Sequence, residues 1–139
     1  MKIYLAGPMD YVDKETQCGW RRQCHEYFDD IYGNVKLLDP TRRTHEDDLS
    51  EREILTLDMW DVTQSDLLLV DAREFNAPSF GTACEVFYAS YVLKKPVIGW
   101  YNEENKPTKR RIFQNALFTR QFESLDDALQ HIGSYYSEY

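Results

Sequence analysis

Four consecutive apolar residues, Leu67-Leu68-Leu69-Val70, stand in the middle of the chain with nothing polar between them. A strand with one wet face alternates apolar and polar residues. A run without alternation is covered on both faces, as a central strand of a parallel sheet is. Ile3-Tyr4-Leu5-Ala6, Val35-Lys36-Leu37-Leu38 and Val97-Ile98-Gly99-Trp100 read as further strands, and Gln121-Phe122 as a short fifth. Parallel neighbours need crossover connections, usually helical. Helical patterns do fill the gaps: Glu15 to Ile31, Glu51 to Gln64, residues 82–93, Lys109 to Phe118 and Ser124 to Ile132. The expected fold is therefore α/β. It is a single-domain, doubly wound (Rossmann/flavodoxin-like), five-stranded parallel sheet with helices on both faces, spanning residues 1–139.

The punctuation agrees with these elements. Gly7-Pro8 and Asp39-Pro40 stop strands, and Gly33-Asn34 takes the usual helix-stop position. Ser50-x-x-Glu53 is a capping-box pattern opening a helix. Lys94-Lys95-Pro96 places cations at the negative end of the helix before it. Met9 to Lys14, Thr41 to Leu49 and Asn102 to Thr108 read as loops.

Composition narrows the partners. A net charge of −8 disfavours a nucleic-acid polymer, although a local site in an acidic protein can still hold one phosphate. No apolar run approaches membrane-spanning length, and the first residues are too short a run for a signal peptide. The three cysteines, Cys18, Cys24 and Cys84, form no CxxC spacing and are odd in number, so no disulfide framework or zinc site is implied. His25, His45 and His131 are dispersed, and neither a Walker A nor a GxGxxG pattern occurs. The expectation is a soluble, cytoplasmic protein without metal or cofactor.

Two carboxylates carry the candidate chemistry. Thr82-x-x-Glu85 can be a capping box at an ordinary helix start. Alternatively, Glu85 is a nucleophile at the carboxyl end of the sheet, where open α/β folds bind ligands. Asp58 falls on the same helical face as Ile54, Leu55 and Val62, and a carboxylate there either has a partner or borders a cavity with a raised pKa. Asp61, Asp66 and Asp71 read as structural. Held at a helix N-terminus, Glu85 is expected to stay ionised, leaving Asp58 as the proton donor. Such a pair can cleave a glycosidic bond.

Ile3-Tyr4-Leu5-Ala6-Gly7-Pro8, Asp58 eight positions before Asp66, and Gly81-Thr82-x-x-Glu85-x-x-x-Ala89 together resemble the nucleoside 2-deoxyribosyltransferase family. Its relatives include the 2'-deoxynucleoside 5'-phosphate N-hydrolases and CMP N-glycosidases. The resemblance runs from Lys2 to about Asp127. It implies that Glu85 forms a covalent glycosyl ester, that Asp58 contacts and helps protonate the base, and that Tyr4 holds the nucleophile by a hydrogen bond. On its own, Tyr4 reads as a core aromatic in a strand.

Two positions bear on the branch. The transferases usually carry an Asp six residues before the nucleophile; here Ser79 stands there. Pro78-Ser79-x-Gly81 is more similar to the monophosphate hydrolases, in which the matching Ser and Gly bind phosphate. Gly7 belongs to the substrate-binding set by the same resemblance. Against this, Asp10 stands near where those hydrolases carry an Arg; Arg21, Arg22 or the Arg42-Arg43 loop are the substitutes available. Asn115 matches a residue that reaches the neighbouring subunit's site, which implies a homodimer or higher homo-oligomer with shared active sites. The tail, Tyr135 to Tyr139, could also reach a neighbour, though a frayed end is the simpler reading.

The expected function is cleavage of the N-glycosidic bond of a (deoxy)nucleoside 5'-monophosphate through a glycosyl–Glu85 intermediate, releasing free base. The alternatives are a nucleoside 2-deoxyribosyltransferase, which exchanges bases on 2'-deoxyribonucleosides, and a non-catalytic nucleotide-binding sensor.

Overall fold

The computed structural model describes residues 1–43, 47–75, 79–108 and 111–137. His45, Pro78, Lys109, Arg110 and the last two residues of the tail lie outside the described residues. Five strands form one parallel sheet: β1 (Lys2–Ala6), β2 (Lys36–Leu38), β3 (Leu67–Asp71), β4 (Val97–Trp100) and β5 (Arg120–Phe122). Their spatial order is β2-β1-β3-β4-β5. The helices are α1 (Lys14–Ile31), α2 (Glu51–Gln64), α3 (Phe80–Phe87), α4 (Ile112–Ala116) and α5 (Leu125–Tyr135). The expected alternation and sheet are both present.

All five residues of β3 are buried, as a run without alternation requires. Successive side chains point to opposite faces and build two cores. Ile3, Leu5, Leu67, Leu69 and Ile98 pack against Trp20, Cys24 and Phe28 of α1 and Leu125, Ala128 and Leu129 of α5. Tyr4, Ala6, Leu68, Val70 and Val97 pack against Val62 of α2 and Val86 and Ala89 from α3 and beyond. Burying β3 on both faces excludes water from its backbone ladder and pins its register to β1 and β4.

Several boundaries differ from expectation for identifiable reasons. α1 begins at Lys14, because the Asp13 side chain accepts a bond from the Thr16 N–H at 2.7 Å. Its end uses no left-handed glycine: Tyr32 closes it at φ −130° and ψ 80°, before Gly33. The segment after β2 is not wholly irregular, since Pro40–Arg42 forms a 3-10 turn capped by Asp39. The Ser50–Glu53 capping box forms in full. α4 is a short helix, with Arg111 at its N-cap.

Two differences matter for the site. α3 starts at Phe80, not at residue 82, so Thr82 lies inside the helix and the Thr82–Glu85 box does not form. After Phe87 the helix continues as a π-helical turn, Tyr88–Val92. Lys95 does not serve the helix that precedes it. Its ammonium donates to the carbonyls of Val62 (2.9 Å), Thr63 (2.5 Å) and Ser65 (2.5 Å), at the C-terminal end of α2. One cation thus satisfies carbonyls that the helix leaves free. Lys95→Met is expected to cost about 1–2 kcal/mol, given the partial exposure of these charge-assisted bonds, and a denaturant titration measures it.

Candidate active site

In a sheet ordered β2-β1-β3-β4-β5, connections leave in opposite directions on either side of the β1–β3 pair. Such a switch point opens a crevice at the carboxyl ends of the strands. Three of the candidate residues gather on the α2/α3 face beside it: Tyr4 from β1, Asp58 from α2 and Glu85 from α3. Asp58 acts electrostatically on both Tyr4 and Glu85, and those two act on each other.

Glu85 lies in the second turn of α3, past the N-terminal turn, and its Oε2 is buried without a hydrogen-bond partner. Burial pushes its carboxyl up to about 7. The adjacent Tyr4 hydroxyl holds it down in part, Asp58 pushes it up, and Arg21 pulls it down. The expectation of a carboxylate kept ionised by a helix N-terminus is therefore corrected: near neutrality both of its forms are populated. Tyr4 is wholly buried, as a core aromatic would be, but its hydroxyl also has no hydrogen-bond partner. Tyr4 and Glu85 are neighbours whose contact falls short of a formed hydrogen bond. Burial, then the Glu85 charge, drive the Tyr4 phenol far up, so it stays protonated and able to donate.

Asp58 has the partner that one sequence expectation asked for, and its pKa is raised as well. Burial raises its pKa, and Arg43, its ion-pair partner at 3.3 Å, opposes the rise. Its helical face is less apolar than the spacing suggested, because Leu55 is 48% exposed. Arg43 also binds Asp61 at 2.8 Å, and Arg42 binds the same carboxylate. Asp61 is thus the buried anchor that ties the segment after β2 to α2. Asp66 accepts the Lys2 N–H at 2.8 Å, and Asp71 holds Arg73 through both oxygens. All three have structural partners.

The other candidates sit elsewhere. Ser79 is the N-cap of α3, with no capping bond from its side chain. Gly81 follows in the first turn, with open space where a Cβ would stand. At Gly7 a Cβ would come within 2.9 Å of Asp71 Cβ and 3.0 Å of Trp20 Cζ2, so close packing alone demands glycine there. Ser79 and Asn115 both line a cleft of about 390 Å³ on the other flank of α3, together with Pro8, Asp71, Phe87 and Phe113. Glu85, Asp58 and Tyr4 do not line it. The Asn115 side chain receives a long bond, 3.4 Å, from Gln121 Nε2 within its own chain. Of the arginines weighed for phosphate, Arg22 pairs with Glu15 at the surface. Arg21 is buried at 1% exposure, unexpected for a helical arginine in an acidic chain. Its one available signal is position: it follows Trp20 and precedes Cys24 on the apolar side of α1.

The model of the nucleoside 2-deoxyribosyltransferase family matches residues 3–128. The chain belongs to that family. It is thereby a member of a family of enzymes, and the resemblance read from its motifs is the family that matches. No curated protein matches the sequence. Among solved structures, the family's fold recurs over nearly the whole chain. The 2-desoxiribosyltransferase from Leishmania mexicana aligns with a TM-score of 0.70 at 18% identity, covering 98% of this chain and 99% of that one. The 2-deoxyribosyltransferase from Bacillus psychrosaccharolyticus gives 0.70 at 20%, with 93% and 90% covered. The CMP N-glycosidase of Clostridium botulinum gives 0.63 at 14%, with 97% and 99% covered. At these identities the likeness is one of fold. Among the described residues, no helix of this family member is long and apolar enough to cross a membrane.

Proposed function

We propose that the protein, as a single domain, cleaves the N-glycosidic bond of a (deoxy)nucleoside 5'-monophosphate and releases the free base. The observation that carries this reading is the buried Glu85 carboxyl, with a pKa near 7, facing the Tyr4 hydroxyl and a second raised carboxyl, Asp58. Two such acids can divide nucleophile and proton-donor roles.

The Glu85 carboxylate attacks C1' of the sugar as the C1'–N bond breaks, passing through an oxocarbenium-like transition state. Asp58 gives its proton to the departing base, and the Tyr4 hydroxyl donates to the Glu85 oxygen that is not attacking. Water then attacks C1' of the glycosyl ester, losing its proton to Asp58, and Glu85 leaves as a carboxylate. The Ser79 hydroxyl and the N–H groups of the first turn of α3 offer donors to a phosphate.

The site is completed in a homodimer. Phe80, Phe87, Tyr91, Val92, Ile112 and Phe113 are exposed large apolar side chains on α3, its π-helical extension and α4. Phe87 stacks on Tyr91 at 5.4 Å and lies parallel to Phe113 at 6.5 Å. A patch of this kind fits a subunit interface, and it would bring Asn115 of the partner subunit towards Glu85. The free thiols Cys18, Cys24 and Cys84 suit a reducing cytoplasm.

One observation favours a second reading, base exchange between 2'-deoxyribonucleosides. Arg21, Arg42, Arg43 and Arg73 are all bound to groups of the protein itself, which leaves a phosphate without a free guanidinium among them. Chromatography of a panel of nucleosides and 5'-monophosphates, with and without an acceptor base, separates the two. Base released from monophosphates without acceptor is the expected result. New nucleoside formed only with acceptor would establish the transferase and remove Ser79 from phosphate binding.

A further inference from the structure

Asp58 and Asp61 stand three residues apart on α2, so they are neighbours on one helical face. Two carboxylates so placed repel each other, and the segment after β2 answers them with two arginines. The 3-10 turn Pro40–Arg42 closes with the Arg43 N–H on the Pro40 carbonyl at 3.1 Å. From that turn Arg42 pairs with Asp61. Arg43 Nη1 donates to Asp61 Oδ2 at 2.8 Å and to Asp58 Oδ1 at 3.3 Å. One nitrogen thus spans both carboxylates, close to the first and farther from the second. Exposure follows the same order: the Asp61 side chain is 7% exposed and that of Asp58 22%. Asp61 is the fixed anchor, and Asp58 is held more loosely. With Asp58 protonated, the two arginines face one carboxylate charge; with Asp58 ionised, the charges of the four side chains balance.

We propose that Arg43 is a positioning residue for the proton donor: it anchors on Asp61 and receives Asp58 as a carboxylate when the Asp58 proton passes to the departing base. This inference rests on the reading of Asp58 as that donor. As the C1'–N bond breaks, its electron pair goes to the base, a base nitrogen takes the Asp58 proton, and a Glu85 oxygen bonds to C1'. The negative charge left on Asp58 is met by the Arg43 Nη1–H, which already stands within hydrogen-bonding distance. A cation that favours the conjugate base makes the acid a better donor. When Asp58 regains a proton from the attacking water, Arg43 retains Asp61. The charged and titratable groups acting on Asp58 include Arg42 and Arg43 from the segment after β2 and Asp61 on its own helix. Glu85 of α3 and Tyr4 of β1 face it from the other packed elements. Asp61 and Glu85 repel the Asp58 carboxylate, Tyr4 is neutral, and Arg43 is the cation in direct contact with it.

The test compares a leaving group that needs a proton with one that does not. The first is the substrate of the nucleoside and monophosphate panel that loses its base fastest, assayed with an acceptor base present. The second is the para-nitrophenyl glycoside of the same sugar, whose phenolate departs unprotonated. General acid catalysis is worth about 10²–10⁴-fold, and Arg43→Met is expected to forfeit about tenfold of it in kcat on the first substrate, with less than about twofold lost on the second. The basic limb of the pH profile, where Asp58 ionises, is expected to move to higher pH, because the variant removes the cation that favours the carboxylate. Arg43→Lys keeps the charge and is expected to recover most of the rate. In an Asp58→Asn background, Arg43→Met is expected to cost no further rate, since the two act as one unit. Asp61→Asn turns Arg43 wholly to Asp58 and is expected to move the basic limb to lower pH; this variant decides the matter if Arg43→Met does not fold. Equal losses on the two substrates, or a limb unmoved by Asp61→Asn, would make Arg43 a purely structural clasp and overturn the proposal. A parent protein that releases no base from any member of the panel would instead overturn the proposed function, and this inference with it.

Discussion

Glu85→Gln should abolish base release, by a factor on the order of 10⁴ or more, while the protein stays folded. Gln matches the shape of Glu but cannot form the ester, and removing a nucleophile from a two-step reaction removes the pathway rather than trimming its rate. The same variant should be more stable than its parent at alkaline pH. A carboxyl displaced from 4.5 to about 7 by folding favours the folded state when protonated, because the native protein then holds the proton more tightly than the unfolded chain does. In the parent this contribution is fully present below about pH 4.5 and is lost as pH rises through 7. Ionised Glu85 therefore costs roughly 3 kcal/mol above pH 7, and Gln escapes most of that cost. Denaturant midpoints at pH 8 and pH 4 measure the difference, with the gain present at the first and absent at the second. A sensor that used Glu85 only to shape its helix would show the stability pattern and keep its ligand, with no activity to lose.

Phe113→Asp should dissociate the proposed homodimer and take the activity with it. Phe113 is 72% exposed in one chain and lies parallel to Phe87 across the cleft between α3 and α4. A carboxylate in the centre of that patch costs about 2–4 kcal/mol of association, on the order of 30- to 1000-fold in the dimer dissociation constant. Analytical ultracentrifugation at micromolar protein shows the loss. Sharing of sites has a sharper signature. Glu85→Gln and Asn115→Asp are each inactive if a site needs both residues from different subunits. Mixed and re-equilibrated, they form heterodimers with one intact site each, and about a quarter of the parental activity returns. A mixture as inactive as its components would leave each site within a single chain.

The strands were legible because burial on both faces writes itself locally: Leu67 to Asp71 has no other comfortable place. The Ser50–Glu53 box was legible for the same reason, since all its partners lie within one turn. Thr82-x-x-Glu85 has the same spelling and a different outcome. There the helix begins at Phe80, and Glu85 lies against Tyr4 instead of reaching back to the helix start. Spacing along a helix reports which residues share a face; it does not report where tertiary packing begins the helix. Lys95 was misplaced by the same limit, since the carbonyls it serves are thirty or more residues upstream, at the C-terminal end of α2. Arg21 and Asp61 are the strongest cases. Each is a charge made tolerable in the interior by partners from other elements, and sequence neighbours carry no trace of them. The influence of Asp58 on Glu85, by contrast, is what the fold reading leads one to expect of residues placed towards one edge of the sheet.

The π-helical turn at Tyr88–Val92 has a consequence for how such a chain can change over evolutionary time. A π turn accommodates one surplus residue in an otherwise α-helical segment. Because the wider turn absorbs that residue, its loss would restore regular winding and leave the residues downstream near their present orientation, whereas the same loss from a regular α-helix would swing them by about 100°. Glu85 lies upstream of the turn. The helix is thus buffered: a single codon can be lost here without re-aiming Tyr91 and Val92 or disturbing the carboxylate before them.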